Sequence, residues 1–236
     1  GLEALRVEGR LVNDRVRMTG TLRSSLATAD ASATVATVQG RDGPQIASGS
    51  PVEFSASAEI ARLAAFAGLF DNTTAYFDGR LRANLAGRGT LGKPVVTGTI
   101  EGERLAVALP PEGVDLSGGM LRARVADNRI AVDQFSIQGG EGTLTAQGTL
   151  SLAEGQRASV DWRADRLRIL GRPDRRLVVT GSGNATLDGG KLALTGEVRA
   201  NEGLFQFGAT ALPTLGPDVV VLGRAETPPK SAAMAN

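Results

Sequence analysis

In the stretch GRLRANLAG, Leu81, Ala83 and Leu85 alternate with Arg80, Arg82 and Asn84. An extended segment with this pattern has one apolar and one polar face, the signature of a half-buried β-strand. GTLTAQGTLSL repeats the design, with Leu144, Ala146, Leu150 and Leu152 opposed to Thr143, Thr145, Gln147, Thr149 and Ser151. GKLALTGEVRA sets Leu192, Leu194 and Val198 opposite Lys191, Thr195, Glu197 and Arg199. The runs close on Gly, Asp or Asn. Asp127-Asn128 and Asp188-Gly189-Gly190 tolerate positive φ and predict hairpins, the first joining GMLRARVA to RIAVDQFSIQ. In the second of those strands the apolar phase slips from Ile130 and Val132 to Phe135 and Ile137, which predicts a β-bulge near Asp133 or Gln134. Gly-Thr-Leu/Ile recurs at Gly20, Gly89, Gly98, Gly142 and Gly148, a spacing too uneven for the coils of a strict solenoid.

One stretch breaks the alternation. In EIARLAAFAGLF, Ile60, Leu63, Ala67 and Phe70 keep helical spacing, and the alanines favour a helix over 59–71. The pattern therefore predicts an all-β fold, an elongated curved sheet of mostly hairpin-connected strands with one short helix. Residues 1–58 read as an N-terminal strand segment continuing the same sheet, 72–223 as the main sheet domain, and 224–236, with Pro228-Pro229, as a disordered tail. The apolar stripes have two readings. They fill a β-sandwich, or they line an open trough, since a single helix cannot cover a long sheet.

Composition narrows the chemistry. The chain is 42% hydrophobic and 4% aromatic, with 31 glycines, which suits many short aliphatic strands punctuated by turns. With 26 Lys and Arg against 25 Asp and Glu there is no broad basic field, so nucleic acid is not expected as a partner. There is no His and no Cys, which removes Ser-His-Asp and Cys-His catalysis, disulfides and the usual zinc sites. No cofactor, metal site or enzymatic activity is expected. No apolar run of about 18 residues is present, so no transmembrane helix is expected.

Three stretches invite a chemical reading. GRGTLGKP, residues 87–94, begins like a phosphate-binding loop, but Pro94 stands where Ser or Thr would hold magnesium, and the β-branched run VVTGTIEG follows where a helix is needed. It reads instead as a tight turn with Pro94 opening the next strand. In DWRAD, Asp161 and Asp165 flank the only Trp, a pairing seen in carbohydrate sites. Four residues along one strand separate them by about 13 Å, too far for paired carboxylate chemistry. The cluster RADRLRILGRPDRR could hold phosphate headgroups through Arg166, Arg168 and Arg172, although Asp165 and Asp174 interrupt it and a solvated loop is the commoner explanation of such a run.

The order of signals resembles a known family. GTLGKPVVTG, Leu105 to Val114, DNRIAV, GGEGTLTAQGTL, GSGNATLDGGKLALTGEVRANEGLF and LGPDVVVLG, spread from Glu59 to Gly223, resemble the C-terminal region of TamB-type proteins of the AsmA-like group. The resemblance implies a β-taco, a sheet folded around a hydrophobic groove. It implies an envelope protein in the periplasm, tethered to the inner membrane by an upstream segment that this sequence lacks. It further implies phospholipid as partner, and outer-membrane protein assembly with an Omp85-type partner through other parts of the full protein. On that reading Leu81, Leu85, Ile100, Leu105, Val107, Leu121, Val125, Ile130, Val132, Leu144, Leu150, Leu192 and Leu194 line the groove. The alternative is a chaperone-like scaffold that binds nascent outer-membrane polypeptides by strand addition.

Overall fold

The computed structural model describes residues 2–40, 43–65, 75–151 and 157–206. Fourteen strands are found among them: β1 Leu2–Val12, β2 Arg15–Ser24, β3 Ala27–Ala36, β4 Val38–Gly40, β5 Gly43–Gln45, β6 Pro51–Ile60 and β7 Tyr76–Thr90, followed by β8 Lys93–Leu109, β9 Val114–Ala126, β10 Arg129–Gly139, β11 Gly142–Ser151, β12 Ala158–Gly171, β13 Arg175–Asp188 and β14 Lys191–Phe205. Twelve form one open antiparallel sheet in chain order, and β4 and β5 form a separate small ribbon inserted between β3 and β6.

Local chemistry makes this meander. Asn13-Asp14 and Asp127-Asn128 form two-residue turns with φ of 49° and 58° in both cases, and Gly189-Gly190 has 54° and 81°. Two left-handed residues in succession match the right-handed twist of the strands they join. The phosphate-loop lookalike is a hairpin: Thr90 pairs with Lys93 across Leu91-Gly92, and Pro94 is the second residue of β8.

Bulges bend the sheet. The slip expected near Asp133 or Gln134 falls between Val132 and Phe135. Others lie between Glu103 and Leu105 and between Ala164 and Leu167, where Arg104 and Arg166 take φ of 51° and 45°. Each extra residue returns the following aliphatic side chain to the same face and raises the local curvature.

The curvature closes one end. There the backbone N–H of Gly171, at the end of β12, donates to the carbonyl of Gly113, just before β9, at 2.8 Å, reaching past β10 and β11. Ala164, Leu167 and Val179 form a small core beside this seam, with Leu116, Leu144, Trp162, Ile169 and Leu177 packed on it. At the other end the connection from β3 to β6 is tied to neighbouring turns, with Thr37 N–H on the Asp14 carbonyl and Gly92 N–H on that of Ser48, each at 2.8 Å.

The expected helix is corrected in part. Glu59 and Ile60 belong to β6, paired with Thr28 and Ala27, because the ladder to β3 outweighs helix propensity. Leu63–Ala65 make one turn of 3₁₀ helix, and 66–71 lie outside the described residues. No α-helix is found among the described residues. The tail at 224–236 also lies outside them.

Candidate functional site: a continuous apolar sheet face

Side chains at paired positions of adjacent strands lie on the same face of a sheet, so the register shows what each face carries. One row crosses all twelve strands as Val7, Gly20, Ala31, Ala56, Leu85, Gly98, Val125, Ile130, Leu150, Ala158, Leu187 and Leu192. The next row on that face runs Leu5, Leu22, Ala29, Ala58, Ala83, Ile100, Ala123, Val132, Gly148, Val160, Ala185 and Leu194. Neither row contains a polar side chain. A third, from Ala27 through Ile60, Leu81, Gly102, Leu121, Phe135, Ala146 and Trp162 to Gly183, is equally apolar.

The opposite face is polar along the same lines. Between the first two rows lie Arg6, Thr21, Asp30, Ser57, Asn84, Thr99 and Arg124 on the strands from β1 to β9. Ion pairs decorate this face: Arg23 to Asp30 at 2.7 Å, Arg82 to Glu59 at 3.4 Å, and Arg124 to Asp133 at 2.6 Å. The two hydrogen bonds from Arg124 hold the Asp133 carboxyl below its ordinary value.

Depth on the apolar face varies with position. Ile137 and Leu167 are 3% and 4% exposed near the closed end, and Val125 and Val35 are as deep, at 4% and 5%, toward the opposite end, whereas Leu5, Val7, Leu192 and Leu194 on the two edge strands are 64–75% exposed. Most of the face between is half-buried, with no second layer among the described residues. Two pressed sheets would bury these rows throughout. Burial is instead uneven: it is deep at Ala164, Leu167 and Val179 beside the seam and at Val35, Val52 and Val125 toward the other end, and is lost on the edge strands.

All thirteen residues nominated from the sequence project from this face. Leu85, Val125, Ile130, Leu150 and Leu192 stand in the first row, Ile100, Val132 and Leu194 in the second, and Leu81 and Leu121 in the third. Leu144 follows one step nearer the closed end, paired with Ile137 and Ala164. Leu105, opposite Gly119, and Val107, opposite Leu116, reach the face only because the bulge at Arg104 resets their phase. The nominated set left out Leu5, Val7, Phe54 and Leu187, which belong to the same surface. It also left out Phe135 and Trp162, although the apolar phase of their strands, shared with Ile137 and Val160, places both on this face.

The nominated arginines separate. Arg172 is engaged within the chain, its Nε on Asp174 at 2.9 Å and its Nη1 on the Pro111 carbonyl at 3.2 Å, which braces the closed end. Arg168 lies half-buried over Gly140 and Gly171, and Arg166 is exposed in its bulge. Asp161 and Asp165 are both exposed, and Asp161 accepts a hydrogen bond from Asn184 at 2.9 Å. Among the described residues no group of acidic side chains is arranged to hold a metal, and no helix is long and apolar enough to cross a membrane.

The site the described residues define is a large, one-sided apolar sheet face. Residues 133–236 match the family described as the TamB C-terminal domain, which supports a TamB-type reading of that part of the chain. That family serves envelope biogenesis, in transport and assembly rather than catalysis. No curated protein and no solved structure matches the chain. The family match begins within β10, and the apolar rows continue across the strands before it by register alone.

Proposed function

We propose that the apolar face is a non-enzymatic groove that conducts phospholipid acyl chains between the inner and outer membranes. The observation that carries the reading is the pair of unbroken apolar rows, each twelve strands wide. An acyl chain leaving water gains about 0.8 kcal/mol per CH₂, so a chain of ordinary length gains roughly 10 kcal/mol before ordering losses. Aliphatic contacts are non-directional, so a tail slides along the rows without breaking specific bonds. A periplasmic position tethered to the inner membrane, and support of outer-membrane protein assembly with an Omp85-type partner, belong to the same proposal. So does contact of Arg166 and Arg168 with headgroups at the closed end.

The purified protein is expected to carry co-extracted phospholipid, and Leu85→Arg with Leu144→Arg to remove it while the β signal in circular dichroism remains. A lipid-free wild-type extract by mass spectrometry would count decisively against the groove. A second reading rests on the edges. Every side chain of β14 is exposed and no strand among the described residues pairs with its outer edge, which favours addition of a strand from a nascent polypeptide. Photoreactive groups at Leu85 or Leu150 capture lipid under the first reading, and groups on β14 capture polypeptide under the second.

A further inference from the structure

On the polar face, at the β1–β2 hairpin, three guanidinium groups stand together with no ion-pair partner among the described residues. Arg10 pairs directly with Arg17 across the ladder, and Arg15, paired with Val12, lies diagonally beside Arg10. Directly opposed side chains place their Cβ atoms roughly 5 Å apart, and like charges there are destabilising. Elsewhere on this face arginines meet carboxylates, as Arg23 meets Asp30 and Arg124 meets Asp133. Among the described residues, none of Arg10, Arg15 and Arg17 forms an ion pair or a side-chain hydrogen bond with a carboxylate. All three are exposed.

These side chains border a hollow of about 740 Å³, which Glu8, Val12, Asn13, Thr19 and Thr34 also line. Glu8 is the one carboxylate side chain lining it, so three guanidiniums against one carboxylate leave a formal charge of +2. The hollow has room for an oxyanion, and its two threonine hydroxyls add neutral donors. Guanidinium forks match the tetrahedral oxygens of phosphate geometrically, and two or three converging on one group form the charge-assisted bonds that an isolated surface arginine does not.

We propose that Arg10, Arg15 and Arg17 form a phosphate-binding site on the polar face, on the opposite side of the sheet from the apolar rows. The ligand is a phosphate-type oxyanion, free or as the headgroup of an anionic lipid. A bound dianion relieves the opposition between Arg10 and Arg17 and holds the β1–β2 hairpin, which forms one edge of the sheet.

The test uses the whole 236-residue chain and two probes at constant ionic strength. Inorganic phosphate is titrated while the thermal midpoint is followed, and vesicles of phosphatidylglycerol are compared with phosphatidylcholine by co-flotation. For the wild type, phosphate is expected to raise the midpoint or phosphatidylglycerol to be preferred, with Arg10→Gln/Arg17→Gln weakening the response at least tenfold. Arg199→Gln, an equally exposed arginine of β14, is expected to behave as wild type. A response to both probes identifies the phosphate group as sufficient, and a response to vesicles alone identifies the lipid headgroup. No response to either probe, a response kept by the double variant, or an equal loss in Arg199→Gln overturns the site. In phosphate-free chloride the double variant is expected to unfold at a higher temperature than the wild type. A midpoint no higher would mean that the repulsion is already relieved within the chain, and would also overturn it. None of these outcomes bears on the apolar face, so the groove reading stands or falls separately.

Discussion

Gly171 donates its backbone N–H to the carbonyl of Gly113 at 2.8 Å, joining the end of β12 to the start of β9 across two intervening strands. Apart from β3 and β6, which flank the β4–β5 ribbon, neighbouring strands in this sheet are consecutive in the chain, so this bond marks where the sheet stops spreading and folds over. Arg172 reinforces it by reaching the Pro111 carbonyl one turn away. The closed end is therefore held by backbone geometry that depends on glycine.

Gly113→Ala tests that dependence. Gly113 has φ +82°, and an added Cβ would lie 2.5 Å from Cγ of Arg172. The left-handed backbone alone costs about 1–2 kcal/mol for a residue with a Cβ, and the collision displaces the arginine brace. The expected loss is about 1–3 kcal/mol in denaturant unfolding, with faster hydrogen exchange at Gly171 than in the wild type. Unchanged exchange at Gly171 would show that the seam does not depend on this residue.

Glycines of one apolar row should differ sharply. An added Cβ at Gly98 would lie 2.1 Å from the Asn84 carbonyl oxygen and 2.9 Å from Cα of Leu85, both backbone atoms that cannot turn aside, whereas one at Gly20 meets nothing within 4 Å. Gly98→Ala is expected to destabilise by about 1–3 kcal/mol, the usual range for overpacking. Gly20→Ala should be neutral or stabilising by up to about 1 kcal/mol, because it restricts the unfolded chain at a compatible position. Chemical denaturation of the pair measures the contrast directly.

The Arg124–Asp133 pair gives a pH signature. Asp133 is held below its ordinary value of 3.8, chiefly by the hydrogen bonds from Arg124. A depressed folded-state value means that the stability it contributes is present above the unfolded value and is lost as pH falls through the folded one. The thermal midpoint of Arg124→Gln should therefore lie below that of the wild type at neutral pH and converge with it well below pH 3.8. The pair lies at the surface, with the Arg124 side chain exposed and that of Asp133 half-exposed, so added salt should shrink the gap as well.

Local signals made the strands, the hairpin turns and the bulge after Val132 legible, because each is written within a few residues. The same three-residue slip separates Ala164 from Leu167, and it marks a second bulge by the same rule. The bulge at Arg104 carried the weaker signal, since Gly102 interrupts the apolar phase before it. The helix expectation failed at Glu59 and Ile60 because partners in β3, more than thirty residues away in sequence, decide their conformation. The seam between Gly113 and Gly171 was illegible for the same reason. Alternation shows which side chains share a strand face, but only the register of twelve strands shows that Leu5 and Leu194 end the same row.

Trp162 offers the most sensitive probe of the closed end. Its ring packs on the Ala164–Leu167–Val179 core, and a Cβ at Gly183 would lie 2.8 Å from its Cζ2, so the glycine makes room for it. The indole Nε1–H is buried with no hydrogen-bond partner among the described residues. An unsatisfied buried donor costs about 1–3 kcal/mol, which offsets part of what the ring gains by packing. Trp162→Phe removes the donor and keeps most of the apolar area, so its stability should stay within about 1 kcal/mol of wild type. Trp162→Ala removes both and should lose about 3 kcal/mol. As the only tryptophan of the chain, Trp162 also reports on this end by fluorescence. Its emission should be blue-shifted in the wild type and move to longer wavelength in Gly113→Ala, if closure of the sheet is what keeps water from the ring. An emission unchanged by that substitution would mean that the small core shields the indole without help from the seam.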